Sequence, residues 1–101
     1  MYGLIGKIRV LPSQRDALIS ILLEGAKDMP GCLSYIVAQD QTDQDAIWVT
    51  EVWDEKASHQ ASLSLDSVKE AIKVGKPLIA GFGERFETIP LGGHGLNENS
   101  N

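Results

Sequence analysis

The apolar positions of this chain recur with two periods, and the period changes at Pro and Gly residues. Residues 3–11 alternate roughly as a strand does, until Pro12 interrupts the pattern. Over about 13–29 the apolar side chains lie three or four residues apart, which predicts a helix. Ser13 is suited to cap this helix at its start, and Pro30 to end it.

The second half of the chain predicts two strands, a broken helix and a final strand. A short polar loop between the two strands favours an antiparallel hairpin. Asp54 and Asp66 stand where an aspartate could cap the two helical pieces. The predicted elements are strands over about 32–40 and 46–53, helical pieces over about 55–63 and 66–75, and a strand over about 82–89.

This order is β-α-β-β-α-β, which predicts an α+β domain of the ferredoxin-like class with a four-stranded antiparallel sheet. Right-handed connections place the helices on one face of the sheet. Tyr35, Trp48 and Val52 cannot all lie under the same helices, so the opposite face is also apolar. A second copy of the chain is the simplest cover for that face, and we therefore expect a homodimer.

The chain has 101 residues, which predicts one domain. We place that domain at residues 1–91 and a flexible tail at residues 92–101, where glycine and asparagine dominate. His94 lies in this tail. Either the tail folds over a pocket and brings His94 into it, or it is simply a mobile end.

Charge and cysteine content narrow the possible partners. The net charge is −5 with no basic run, so we expect neither nucleic acid nor an anionic membrane surface as a partner. A single cysteine, Cys32, suits a reducing compartment. The first residues lack a signal-peptide pattern, and no apolar run approaches the ~20 residues of a membrane span. These features predict a cytoplasmic protein.

The most unusual cluster of polar and aromatic residues is Glu51, Trp53 and His59. Glu51 and Trp53 are two apart on a strand and share a face, and His59 follows in the next helix. His59 is a candidate base near neutral pH, and Trp53 a candidate pocket wall. Glu51 would either orient His59 or hold a substrate hydroxyl. The alternative is that Trp53 is core, Glu51 pairs with a basic side chain, and His59 faces water.

Two further aromatic residues, Tyr35 and Trp48, lie in the hairpin strands as candidate walls of a substrate pocket, or as core. Metal ligation is not expected, because two histidines and one cysteine show no metal-binding spacing. The glycines near residue 82 follow a helix and precede a strand, the reverse of a phosphate-binding loop. We therefore expect no metal and no organic cofactor.

The stretch 30–63 resembles the antibiotic biosynthesis monooxygenase family. The resemblance is carried by a Pro-Gly-Cys step at residues 30–32, an acidic loop, Glu51-x-Trp53, and His59. It implies a dimeric α/β barrel that oxidises a quinol-like or polycyclic phenolic molecule with O2 and without a cofactor. It also implies that His59 is the base and that Glu51 and Trp53 line the pocket. An isomerase using His59, or a non-enzymatic dimer that binds a small ligand, remain alternatives on the same scaffold.

Overall fold

A computed structural model describes residues 1–96, and it contains the predicted β-α-β-β-α-β order with the second helical element divided in two. The predicted tail, 92–101, lies outside the described residues from residue 97 onward. The elements are β1 (Tyr2–Val10), α1 (Arg15–Gly25), β2 (Cys32–Gln39), β3 (Ala46–Trp53), α2 (Lys56–Ser62), α3 (Asp66–Gly75), a 3-10 turn (Lys76–Leu78) and β4 (Ile79–Thr88).

The four strands form one antiparallel sheet in the order β2-β3-β1-β4. This confirms the ferredoxin-like α+β prediction. The longest helix of the described part, α1, has 11 residues. No helix in residues 1–96 is long and apolar enough to cross a membrane.

Helix α1 is shorter than the predicted span of 13–29, and Ser13 does not cap it. Ser13 has a φ of 70°, and the cap position belongs to Gln14, whose side chain makes no capping hydrogen bond. At the other end, Asp28 has a φ of 55° and turns the chain away before Pro30. A left-handed residue at each end therefore limits the helix to fewer turns than its apolar spacing indicates.

The predicted caps of the second helical region are also wrong. Glu55 occupies the cap position of α2 instead of Asp54, and Leu65 occupies that of α3, so that Asp66 is already the first helical residue. Neither cap residue makes a side-chain hydrogen bond. Asp66 instead places a negative charge in the first turn, where the helix dipole favours it.

Strand β4 begins three residues earlier than the predicted span of 82–89. Ile79 already pairs with Val10 of β1. The pairing of these two strands shifts register twice, between Gly6 and Ile8 and between Arg9 and Val10. Each irregularity breaks the two-residue alternation, which is why the sequence pattern did not indicate the full strand.

The two faces of the sheet differ in what covers them. Trp53 and Ile47 lie on the helix-covered face and are almost fully buried. Tyr35 is paired with Glu51 and packs on this helix-covered face as well. Trp48 and Val52 alternate along β3 with Ile47 and Trp53, so they lie on the opposite face. The prediction that Tyr35, Trp48 and Val52 do not share one face is therefore confirmed.

Helices α1 and α3 approach each other closely at two glycines. An ideal Cβ placed on Gly25 would lie 2.5 Å from the Cβ of Ala71, and one on Gly75 would lie 2.9 Å from Leu18 Cδ1. Real Cβ atoms do not come so near their neighbours. Both glycines are buried, so this close contact depends on their missing side chains.

We predict that Gly25→Ala lowers the free energy of unfolding by about 1–3 kcal/mol, because the added methyl group overpacks the α1–α3 contact. Adding Ala71→Gly to it removes the clashing Cβ and recovers part of the loss, although Ala71→Gly alone is destabilising in a helix. Urea unfolding of the two single variants and the double variant measures this coupling. If the changes in unfolding free energy of the two single variants simply added in the double variant, the contact between residue 25 and Ala71 would be contradicted.

Candidate functional site

A cavity of about 680 Å³ lies between the sheet and the helices. This volume falls in the range of small-molecule sites, roughly 300–1,000 Å³. Apolar side chains make up most of its walls, among them Leu22 of α1, Ala71 of α3 and Phe82 of β4. Glu51 and His59 also line the cavity. A carboxyl group and an imidazole are therefore available to a ligand in an otherwise mainly apolar cavity.

The structure brings Glu51, Trp53 and His59 together, as their spacing indicated. The Trp53 indole N–H donates a hydrogen bond of 2.9 Å to Glu51 Oε1. His59 Nε2 lies 3.9 Å from the same oxygen, so the carboxylate can stabilise a protonated imidazole. The side chains of His59 and Glu51 are 16% and 13% exposed, which limits screening of their interaction by water.

Two aromatic rings hold the His59 ring in place. The Trp53 ring lies edge-on to it, with centroids 5.5 Å apart, and the Tyr2 ring is tilted against it at 5.7 Å. Sequence analysis missed Tyr2, which is far from His59 along the chain. The strand register is what brings Tyr2 to His59, because Tyr2 of β1 is paired directly with Trp53 of β3.

Tyr2 is itself held by a polar contact at the surface. Its hydroxyl donates a hydrogen bond of 2.6 Å to Glu87 Oε2, and Lys56 Nζ lies 3.5 Å from that oxygen. The hydrogen bond to Glu87 raises the pKa of the Tyr2 phenol and lowers the pKa of the Glu87 carboxyl. Both shifts keep Tyr2 a neutral donor and Glu87 a charged acceptor.

Burial raises the pKa of the Glu51 carboxyl. The Trp53 N–H bond and the nearby charges of His59 and Arg85 oppose this shift in part. Tyr35, which also lines the cavity, has a raised pKa because it is buried and faces the Glu51 charge. The phenol of Tyr35 therefore stays protonated and can serve as a wall or a hydrogen-bond donor, but not as a base.

Trp48 is separated from these residues by the sheet. It lies on the face opposite Glu51 and Trp53, where its indole N–H donates a 2.7 Å hydrogen bond to Asp40 Oδ2. Lys7 Nζ stands 5.7 Å from the centre of the Trp48 ring and 3.8 Å from the same carboxylate oxygen. Trp48 thus does not line the cavity, and we leave it out of the site proposed below.

His94 is exposed and is not among the residues that line the cavity. Cys32 is partly buried, and burial raises the pKa of its thiol, which disfavours the reactive thiolate. Within residues 1–96, no three His, Cys, Asp or Glu side chains are grouped closely enough to hold a metal ion.

We predict that Glu51→Gln raises the melting temperature relative to wild type more at pH 7 than at pH 4. Because the folded-state pKa of Glu51 is raised above the unfolded value of about 4.3, ionisation of the buried carboxyl above that pH costs stability. Glutamine keeps an acceptor for the Trp53 N–H. Thermal melts at both pH values measure the difference, with Glu84→Gln, an exposed carboxylate of β4, as the control. An equal gain at the two pH values would show that burial does not disfavour the Glu51 charge.

Known proteins are similar to this chain in sequence and architecture. Residues 1–74 match the family described as antibiotic biosynthesis monooxygenase. The chain is also similar to a crystal structure from Chloroflexus aurantiacus J-10-fl, described as a candidate antibiotic biosynthesis monooxygenase. The two are 67% identical with a TM-score of 0.92, and the match covers 94% of this chain and 97% of the other.

A more distant structure and a partly matching sequence are also similar to the chain. A crystal structure from Deinococcus radiodurans is 22% identical over 92% of this chain and 95% of its own, with a TM-score of 0.75, which is a likeness of fold. An uncharacterised protein of Synechocystis sp. is 30% identical over 56 residues, or 52% of this chain and 38% of that protein. The chain therefore matches well under half the length of this curated relative. Because the family match extends over residues 1–74 of 101, the chain belongs to the antibiotic biosynthesis monooxygenase family.

Proposed function

We propose that the protein oxidises a quinol-like or polycyclic phenolic molecule with O2, without a metal or organic cofactor, and that the reaction takes place in the cavity described above. The observation that carries this proposal is the pairing of His59 with Glu51 inside a mainly apolar cavity. An apolar ring system gains by leaving water for such a site. Its hydroxyl group then needs a base, and His59 supplies one.

His59 acts in the first step by taking the proton of the substrate hydroxyl. The resulting phenolate is electron-rich and reduces O2 directly. A C–O bond forms at a ring carbon that bears hydrogen, and the O–O bond then breaks. One oxygen atom stays on the ring as a carbonyl, and the other leaves as water with the two hydrogens lost by the substrate. All four electrons accepted by O2 come from the substrate.

Glu51 and Trp53 support that proton transfer. The Glu51 carboxylate lies 3.9 Å from His59 Nε2 and stabilises the imidazolium ion formed when the proton arrives. The Trp53 N–H holds the carboxylate in place, while the Trp53 and Tyr2 rings fix the orientation of the imidazole. Tyr35 forms part of the apolar wall that excludes water from the phenolate.

We predict that His59→Ala lowers the rate of O2 uptake with a reactive hydroquinone by about 10²–10⁴-fold, the usual contribution of general base catalysis. An oxygen electrode and a panel of one-ring and multi-ring hydroquinones measure the rate. Gln60→Ala changes the next, exposed residue of α2 and serves as the matched control. Equal rates for wild type and His59→Ala would rule out His59 as the base.

The same panel separates the alternative functions on this scaffold. Substrate turnover without O2 uptake would indicate an isomerase. Thermal stabilisation by the ligands with no turnover would indicate a binding protein. Absence of O2 uptake with every hydroquinone would contradict the monooxygenase proposal.

We further propose that the protein works as a homodimer whose two sheets face each other. The support is the sheet face that carries no helix. On that face Ile36 of β2 is 55% exposed and Phe86 of β4 is 52% exposed, and Val52 lies between them on β3. A second copy of the chain would bury all three side chains at once.

We predict that light scattering of the wild-type chain at micromolar concentration gives about twice the 11.0 kDa mass of one chain. Ile36→Asp shifts the protein toward monomer, because the charge would be buried between the sheets. Leu23→Asp is the matched control, since Leu23 is 51% exposed but lies on α1. A wild-type monomer, or equal loss of dimer in both variants, would contradict this arrangement.

A further inference from the structure

The cavity has one basic side chain in its wall that the proposed reaction does not use. Among the described residues that line the cavity, Lys76 is the only lysine or arginine, and Glu51 is the only aspartate or glutamate. Lys76 is the first residue of the 3-10 turn that connects α3 to β4. The wall therefore carries an ammonium group as well as the carboxyl group of the site described above.

Local structure fixes the backbone from which the Lys76 side chain leaves. Its N–H donates to the carbonyl oxygen of Ile72, which ties it to the last turn of α3. Pro77 follows and has no N–H to donate, so the α-helix ends here. The carbonyl oxygen of Leu78 then accepts a 2.9 Å hydrogen bond from the N–H of Leu11. The turn is thus attached both to the helix and to the chain that leaves β1.

The ammonium and the carboxyl group lie toward opposite ends of the cavity. Glu51 is paired with Leu4 of β1, whereas Ile79, which also lines the cavity, is paired with Val10 of the same strand. The six residues from Leu4 to Val10 correspond to about 20 Å along a strand. Lys76 precedes Ile79 by three residues and belongs to the Val10 end. Only an elongated ligand can contact both groups.

The Lys76 ammonium has no carboxylate partner within residues 1–96. Three other lysines of this part of the chain do form such pairs. The N–O distances are 3.8 Å for Lys7, 3.2 Å for Lys27 and 3.5 Å for Lys56. The charge of Lys76 is therefore available to a ligand without first breaking an ion pair.

The wall is open to water around Lys76 and closed around Glu51. Lys76 is exposed, and Ile72 and Phe82, which also line the cavity, are 51% and 72% exposed. The side chains of His59 and Glu51 are only 16% and 13% exposed. An ionised group of a ligand keeps part of its hydration near Lys76, whereas its burial beside Glu51 would be costly.

We propose that the ligand of this cavity is an elongated phenol with a carboxylate at the end opposite its hydroxyl group, and that Lys76 binds this carboxylate. This inference rests on the proposed function in placing the hydroxyl group at His59. The negative charge of Glu51 disfavours the reverse orientation, so the two ends of the cavity together set the direction in which the ligand binds. A single ammonium balances one negative charge, which suits a carboxylate better than a doubly charged phosphate.

A purely structural role for Lys76 has a matched control. Lys76 lies at the C-terminal end of α3, where a cation stabilises the helix dipole. Lys73 lies in the last turn of the same helix and is also exposed, but it is not among the residues that line the cavity. Loss of the Lys73 charge therefore reproduces the effect on the helix without removing a cavity residue.

Binding of 6-hydroxy-2-naphthoic acid and of its methyl ester tests the proposal. The two probes share a ring system and a hydroxyl group, and at pH 7 only the acid carries a charge. Isothermal calorimetry measures their affinities for wild type, Lys76→Met, Lys76→Arg and Lys73→Met. Neither probe is a hydroquinone, so the measurement does not depend on oxidation.

Wild type is expected to bind the acid about three- to tenfold more tightly than the ester, an effect between those of an exposed ion pair and a charged hydrogen bond. Lys76→Met is expected to abolish this preference by weakening binding of the acid alone. Lys76→Arg keeps the charge and is expected to retain the preference, and Lys73→Met to leave it unchanged. Because acid and ester are compared in the same variant, a general loss of folding affects both probes alike.

The proposal would be overturned if wild type bound neither probe or bound the two equally, or if the preference persisted in Lys76→Met. An equal loss of preference in Lys73→Met and Lys76→Met would also overturn it. A preference that depends on Lys76, without O2 uptake from any hydroquinone, would support the role of Lys76 and contradict the monooxygenase proposal. O2 uptake without such a preference would do the reverse.

Discussion

The close contact between α1 and α3 determines how the helices cover the sheet. Gly25 and Gly75 let the two helices approach each other until Ala71 and Leu18 fill the space where glycine lacks a side chain. The helices contact β2 and β3, whereas most side chains of β4, at the other edge of the sheet, remain exposed. Leu18, Gly25, Ala71 and Gly75 all line the cavity, so the contact between the helices forms part of its wall.

The polar end of that cavity is stable because the Glu51 carboxyl group has a hydrogen-bond donor. Burying Glu51 without a donor would be costly, and the Trp53 N–H supplies one at 2.9 Å. The same oxygen lies 3.9 Å from His59 Nε2, so one carboxylate oxygen contacts both the indole and the imidazole. Among the described residues, no buried side-chain nitrogen or oxygen lacks a hydrogen-bond partner. The site therefore combines polar groups with an apolar cavity without an unpaired buried atom.

Part of the site was predictable from local periodicity, and part required pairing between distant strands. The two-residue period of β3 placed Glu51 and Trp53 on one face, and the same parity places Trp48 on the other. The contact of Tyr2 with His59 depends on the register of β1 against β3, which no short stretch of sequence encodes. Tyr35 joins the cavity because β2 shifts register after Cys32, another feature without a local signal.

The sequence by itself determined the order of elements, the hairpin of β2 and β3, and the family to which the chain belongs. Alternating and helical spacing are properties of neighbouring residues, so they can be recognised without knowledge of the fold. Tertiary structure decided where α1 ends, which residues take the cap positions, and where the cavity opens. Those features depend on left-handed turns, on strand register, and on the distance between helices at Gly25. Strand register and the distance between the helices are set by contacts between residues far apart in the chain.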